Sequence, residues 1–237
     1  MKKTPRAIVY VDGFNLYRRS LEKSPHLKWL NIFALSERLL PNYEVRLVRY
    51  FTANIKPGVT VDEGAPVRQQ TYLRALKTLT PLVSIHLGKF RLDTRRMPVH
   101  PLRVDPESGA FVTATLRKAE EKGSDVNLAS RMVADAFLGL ADLFVVLTND
   151  SDQVGPLKMM REELGFRVGI IFPTPSEKST KELARIPRTS RLTSPHSTWK
   201  HVNSQTTCRI VSGHSLSHHC GHKNPKAPNK SLRPSNR

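Results

Sequence analysis

The first 172 residues alternate between short apolar runs and longer segments with apolar residues every three or four positions. The runs typical of buried parallel strands are 7–11, 45–52, 83–87, 143–148 and 166–172. The segments with helical periodicity are 31–40, 67–79, 124–140 and 152–164. Strands that alternate with helices predict an α/β fold, in which helices cover both faces of a parallel central sheet of about five strands.

Residues 88–115 interrupt this alternation. They contain Pro98, Pro101, Pro106 and Gly109 together with several arginines. Prolines remove backbone donors and break regular pairing. The segment is therefore predicted to be a long basic loop or a short irregular hairpin.

The C-terminal part of the chain has a different composition. Residues 1–172 carry 26 Lys and Arg against 18 Asp and Glu, a net charge of +8, whereas residues 173–237 carry 12 against 2, a net charge of +10. We predict one domain over residues 1–185 and a basic tail rich in Ser, Pro and His over residues 186–237. Such a tail buries too little apolar surface to fold, so we expect it to be disordered. A frameshifted C-terminus and a native nucleic-acid-binding tail both explain it.

The whole chain of 237 residues has a net charge of +18. A strongly basic balance favours a polyanionic partner. Its two cysteines, Cys208 and Cys220, imply no disulfide framework, and no apolar run is long enough to span a membrane. We expect a cytoplasmic protein with no membrane partner.

Four carboxylates are predicted to lie at the carboxyl edge of the sheet, where α/β proteins bind their ligands. Asp12 follows the first strand within VDGFN, and Asp150 and Asp152 follow the fourth strand within LTNDSD. The carboxyl ends of parallel strands open on the same edge of the sheet. Asp125 lies in the first turn of a helix that begins near Ser124, and the loop before that helix opens on the same edge.

Each carboxylate also has a structural explanation. Asp12 could be a turn residue, Asp125 could favour the helix dipole, and Asp150 and Asp152 could cap a helix. Asp135 and Asp142 are left out of the site, because Asp135 falls in the middle of a helix and Asp142 precedes a strand at the opposite edge.

Several carboxylates at one edge repel each other unless a cation lies among them. Mg²⁺ prefers such oxygen ligands and fills its shell with water and phosphate oxygens. Mn²⁺ accepts similar ligands. The cluster therefore predicts a Mg²⁺ site that can activate water against a phosphoryl group, with Mn²⁺ as a second ion that would fit.

Four stretches carry a resemblance to a known family. They are YVDGFNLY at 10–17, VRYFTA at 48–53, EEKGSDVNLASRMVADAF at 120–137 and LTNDSDQVGPLKMMREELGFRVGIIFP at 147–173. In their order and spacing they resemble the NYN domain family (LabA-like), a branch of the PIN-like nuclease superfamily. The resemblance implies a PIN-like three-layer sandwich with an acidic metal site at one edge.

The resemblance also implies an activity. The chain is expected to be a metal-dependent endoribonuclease, a hydrolase that cleaves RNA phosphodiester bonds. The family's acidic positions fall on Asp12, Asp125, Asp150 and Asp152, which we predict to be catalytic, the first three as metal ligands. Asn127 stands where the family often has another acid. The alternative is therefore a non-catalytic RNA-binding or regulatory module with a degenerate acidic site.

Four polar residues near the acids are predicted to contact the substrate: Asn15, Lys122, Thr148 and Asn149. Lys122 is chosen because it directly precedes Gly123 and the loop of Asp125. RNA is the expected partner, and the chain is expected to be able to pair with a second copy as a homodimer.

Overall fold

A computed structural model of the protein describes residues 3–174 and 178–185. Its strands are β1 (Arg6–Asp12), β2 (Glu44–Ala53), β3 (Val83–Pro98), β4 (Thr113–Lys122), β5 (Leu143–Leu147) and β6 (Val168–Ile171). Its α-helices are α1 (Gly13–Leu16), α2 (Ile32–Leu39), α3 (Ala65–Lys77), α4 (Ser124–Phe137), α5 (Val154–Lys158) and α6 (Lys181–Ala184). Short 3₁₀ or π-helical turns cover Tyr17–Leu21, Pro25–Leu27, Ser151–Gln153 and Met159–Glu163. The predicted tail, residues 186–237, lies outside the described residues.

The strands form one sheet in the order β4-β3-β2-β1-β5-β6. All neighbouring strands are parallel except β3 and β4, which are antiparallel. The sheet is therefore mixed, has six strands and curls into a half-barrel. The predicted fold class, a PIN-like three-layer sandwich around a parallel central sheet of about five strands, is wrong.

The cause of this difference is the segment of residues 88–115. β3 continues through it to Pro98, and the chain returns as β4, so that Lys89 pairs with Lys122 and Pro98 with Thr113. Side chains on the outer part of this ribbon are largely exposed, and such a two-stranded arm needs no continuous apolar run. The predicted loop is wrong, and the hairpin that is observed is long and regular where a short irregular one was predicted.

Apolar side chains pack on both faces of the sheet. On β1, Val9 and Val11 point into a core shared with α2 and α3, while Ile8 and Tyr10 point into a second core shared with α4 and α5. A strand that is buried on both faces is apolar at every position, which explains the continuous run AIVYV. These two cores fix β1, and so its last residue, Asp12, at the carboxyl edge of the sheet.

The described part of the chain contains no helix that is long and apolar enough to cross a membrane.

Candidate functional site

The carboxyl edge of the sheet brings the predicted acids together. β1 and β5 are parallel neighbours, with Val11 opposite Leu147, so the residues that follow them lie side by side. Asp125 enters from the first turn of α4. One carboxylate oxygen from each of Asp12, Asp125 and Asp150 lies within 4.8 Å of the other two.

Asp12 is the best-buried member of this acidic cluster, at 8% exposure. Its Oδ1 accepts a hydrogen bond of 2.9 Å from the backbone N–H of Asn15, and its Oδ2 accepts one of 3.0 Å from the Thr148 hydroxyl. The same Thr148 oxygen accepts the backbone N–H of Asp150 at 3.1 Å. Thr148 therefore links the two strand ends that carry Asp12 and Asp150. Its predicted contact with a substrate stays a prediction.

Asp150 caps the turn that follows it, because its Oδ1 accepts the backbone N–H of Asp152 at 3.1 Å. Asp152 is exposed and is not one of the three clustered acids, although its charge acts on Asp125. Asp150 therefore both caps the turn and belongs to the cluster.

Glu121 is a member of this region that the sequence analysis did not select. Its Oε1 accepts hydrogen bonds from the backbone N–H and hydroxyl of Ser124, at 3.2 and 2.8 Å. A side chain at Gly88 would collide with this carboxylate. Glu121 lies three residues before Ser124 in EEKGSD, and that spacing was the available signal. The cap position of α4 is occupied by Gly123, with a φ of 99°, and Ser124 is the first helical residue.

The packing of acids alters their titration. Burial raises the pKa of Asp125 to about 6, and the charges of Asp12, Asp150, Glu121 and Asp152 add to this effect. Burial also raises the pKa of Asp12, although the hydrogen bonds from Asn15 and Thr148 oppose it. A carboxyl group with a pKa near 6 can accept and return a proton close to neutral pH.

Two kinds of chemistry are open to such a cluster. A divalent cation would cancel the repulsion among Asp12, Asp125 and Asp150, and the spacing of their oxygens allows them to share one. Without a cation, the same carboxylates can share and transfer protons.

The other predicted contacts have partners within the protein. The Asn15 side chain accepts the backbone N–H of Asn149 at 3.0 Å. Asn149 in turn donates to the carbonyl of Lys178 and accepts the N–H of Thr180, at 3.3 and 2.8 Å. The ammonium of Lys122 pairs with Glu120 at 3.0 Å. Asn15 and Asn149 hold loops in place, and their predicted role toward a substrate, like that of Lys122, stays a prediction.

A cavity of about 240 Å³ opens beside the cluster. Aromatic residues dominate its walls: Phe14, Tyr17, Trp29, Tyr50 and Tyr72. The rings of Trp29 and Tyr50 each stand edge-on to Tyr72, at centroid distances of 6.3 and 6.1 Å. We call this cavity the aromatic pocket. Its residues come from separate elements and form no single sequence motif, so local sequence patterns do not reveal the pocket.

The aromatic pocket and the acidic cluster adjoin but do not share walls. None of the three clustered aspartates lines the pocket, but Gly13 and Tyr50 do. Gly13 directly follows Asp12, and a Cβ at this position would lie 2.7 Å from the Tyr50 ring and hydroxyl. Burial raises the pKa of Tyr50, and the Asp12 charge contributes to that rise. Gly13, which has no side chain, thus lets Tyr50 pack against the turn that separates the acidic cluster from the aromatic pocket.

Comparison with known proteins adds an independent finding. The chain is 31% identical over 223 residues to 6-hydroxy-3-succinoylpyridine 3-monooxygenase HspA of Pseudomonas putida (strain DSM 28022 / S16), and the match covers 84% of this chain and 67% of that protein. No profile of a known protein family matches the chain. A crystal structure of a protein of unknown function from Vibrio parahaemolyticus is similar with a TM-score of 0.45 and 13% identity, covering 77% of this chain and 90% of that one. That likeness is too distant to carry an argument.

The relative overturns the predicted activity. A monooxygenase is an oxidoreductase, so the endoribonuclease, a hydrolase, is the wrong class of enzyme, and the RNA-binding alternative with a degenerate site is wrong with it. The predicted cofactor, Mg²⁺ with Mn²⁺ as a second possible ion, is wrong for the same reason: the relative is a monooxygenase, a class of enzyme that works with a flavin or a similar redox cofactor, and Mg²⁺ has no redox chemistry. The NYN resemblance, RNA as a partner and the homodimer stay predictions, as do the site roles of the four aspartates.

Proposed function

Because the chain belongs to the family of 6-hydroxy-3-succinoylpyridine 3-monooxygenase HspA, we propose that it is an oxidoreductase that transfers one oxygen atom from dioxygen to a small aromatic compound. The identity of 31% over 223 residues carries this proposal. The aromatic pocket supports it, because its five aromatic side chains suit a planar ring.

The reaction is balanced by an external reductant. One atom of dioxygen enters the substrate, and the other leaves as water after taking up two electrons and two protons. The electrons come from a reduced free flavin, which a reduced nicotinamide regenerates. The proposal keeps the predicted cytoplasmic location, where reduced nicotinamides are regenerated.

A tightly bound flavin dinucleotide does not fit the region described above. The pocket of about 240 Å³ is below the usual volume of sites for drug-sized ligands, roughly 300–1,000 Å³. In sheets of this kind a dinucleotide places its pyrophosphate at the first strand-to-helix turn. Here Asp12, Asp125 and Asp150 gather at that turn, and their charges repel a diphosphate. The pocket is therefore assigned to the substrate ring alone.

The residues of this chain have distinct tasks in this proposal. Trp29, Tyr50 and Tyr72 hold the ring and exclude water from it. Tyr50 and Gly13 set the ring beside Asp12. Asp125, with its pKa of about 6, accepts a proton from the substrate and returns one as water forms.

The test is turnover by the purified protein. It is incubated with 6-hydroxy-3-succinoylpyridine and other hydroxylated pyridines, with reduced nicotinamide and dioxygen, and with and without free flavin. We expect oxygen uptake that is matched by oxygenated product, and loss of both in Asp12→Asn. Asp142→Asn is the control, because Asp142 lies before β5 and pairs with Arg6 at 3.1 Å. Absence of product with every substrate and donor would reject the proposal.

A further inference from the structure

Lys28 places a positive charge in the wall of the aromatic pocket. It follows the turn Pro25–Leu27, is partly buried, and its ammonium lies 5.9 Å from the centroid of the Tyr17 ring. Among the residues that the structure describes, no carboxylate lies within 4.0 Å of this ammonium. A partly buried cation beside aromatic rings is well placed to meet an anion.

None of the other charged groups of the pocket pairs with Lys28 within the part of the chain that the structure describes. Arg68 forms an ion pair with Asp62, so these two charges cancel each other. Glu22 also lines the pocket, but it is exposed and forms no ion pair with Lys28 within the described chain. Lys28 is therefore the lining cation without an ion-pair partner among the described residues.

Two neutral polar side chains of the pocket, Gln69 and Tyr72, already have hydrogen-bond partners. Gln69 donates to the carbonyl of Ala53 at 2.9 Å and accepts the backbone N–H of Ile55 at 2.8 Å. The Tyr72 hydroxyl donates to the carbonyl of Leu30 at 2.8 Å. Gln69 and Tyr72 therefore shape the walls, and Lys28 is the lining cation best placed to bind an anionic substituent, because Arg68 is already paired with Asp62.

We propose that Lys28 binds the carboxylate of an aromatic substrate held in the aromatic pocket. This inference rests on the proposed function and names the residue that selects for a carboxylate. The acidic cluster enforces the orientation, because Asp12 adjoins the pocket through Gly13 and Tyr50 and repels a second negative charge. The ring atom to be oxygenated then faces the acids, and the carboxylate faces Lys28.

Binding can be measured without turnover. The chain has two tryptophans, Trp29 and Trp199, so in a Trp199→Phe background Trp29 is the fluorescent reporter inside the pocket. This protein is titrated, without reductant, with 3-succinoylpyridine and with its uncharged primary amide. We expect the acid to bind more tightly than the amide. Lys28→Gln should weaken binding of the acid roughly 10- to 100-fold, the range for a hydrogen bond to a charged group, and leave the amide unchanged.

Lys23→Gln is the matched control, because Lys23 is exposed and does not line the pocket. It should keep the preference for the acid. Equal binding of acid and amide by the parent protein, equal loss of both in Lys28→Gln, or no binding of either would overturn the inference. Preference for the acid without any oxygenation would instead reject the proposed function and leave the Lys28 site standing.

Discussion

Arg49 and Asp135, which are 86 residues apart in the chain, form a bidentate ion pair in the interior of the protein. Arg49 Nε donates to Asp135 Oδ2 at 2.5 Å, and Nη2 donates to Oδ1 at 2.8 Å. The hydroxyl of Tyr10 also donates to Oδ2, at 2.8 Å. This contact fastens α4 to β1 and β2. Because α4 begins beside Asp125 and β1 ends at Asp12, it fixes the distance between two acids of the cluster.

Replacing Asp135 by Asn should be strongly destabilising. Asp135 is 1% exposed, and its loss leaves the Arg49 charge buried without a counter-charge. Breaking a buried pair in this way costs about 3–5 kcal/mol. Urea unfolding should show a lower midpoint at an unchanged slope. In the exposed control, Asp142→Asn, the midpoint should hardly move, and equal shifts in the two variants would contradict a structural role for the buried pair.

Asp125→Asn should stabilise the protein at neutral pH. The folded chain raises the pKa of Asp125 from 3.8 to about 6, so between these values the folded state holds a proton that the unfolded state has released. Stability attributable to this group therefore falls as the pH rises from about 4 to about 6. Asn has no ionisable group, so the Asp125→Asn protein does not lose this stability as the pH rises.

Melting temperatures measured from pH 4 to pH 8 in the presence of a chelator test this prediction. The advantage of Asp125→Asn should be absent near pH 4, grow up to about pH 6 and then stay constant. A variant that is less stable than the parent at pH 7 would show that Asp125 makes favourable contacts which outweigh the repulsion.

Gly13→Ala should disturb the turn between the acidic cluster and the aromatic pocket. The new Cβ would lie 2.7 Å from the Tyr50 ring and 2.8 Å from the carbonyl oxygen of Phe51. Such overpacking costs about 1–3 kcal/mol. In Gly155→Ala, the control, the Cβ meets nothing within 4 Å. Chemical denaturation should separate the two variants, and a Gly13→Ala protein as stable as the parent would mean that Tyr50 moves aside freely.

Thr148→Val should weaken the site, whereas Thr148→Ser should preserve it. Valine removes the hydroxyl that donates to Asp12 and accepts from the Asp150 backbone. An unpaired N–H costs about 1–3 kcal/mol, and the pKa of Asp12 should rise further, because the Thr148 hydrogen bond lowers it. The pH dependence of substrate turnover should therefore shift to higher pH in the valine variant. Identical profiles for valine and serine would exclude this role of the hydroxyl.

The sequence was sufficient to bring three distant acids to one place. Asp12 and Asp150 follow strands that turn out to be parallel neighbours, and Asp125 begins a helix at the same edge. The apolar runs carry that information, because they locate strands whose carboxyl ends open on one edge of the sheet. Local pattern also located most strands and helices to within a few residues, because buried strands are apolar throughout and helices repeat every three or four positions.

Other features depend on partners that are distant in the chain. Asp135 was set aside as a mid-helix residue, and its importance comes from Arg49, which is far away in sequence. The antiparallel ribbon of β3 and β4 was not predicted as such, because the prolines near its tip are typical of a loop. The class of reaction was the largest error, since carboxylates at a sheet edge serve hydrolysis and proton transfer equally well, and the electron donor leaves no pattern in these residues.

The most direct test of the central claim traces the oxygen atom. The enzyme is supplied with ¹⁸O-labelled dioxygen in ordinary water, and the product is analysed by mass spectrometry; the reverse labelling, with ¹⁸O-labelled water and ordinary dioxygen, is the control. A monooxygenase places one labelled atom in each product molecule from dioxygen and none from water. Label that enters from water alone would mean that the oxygen atom comes from water and not from dioxygen, and would contradict the account.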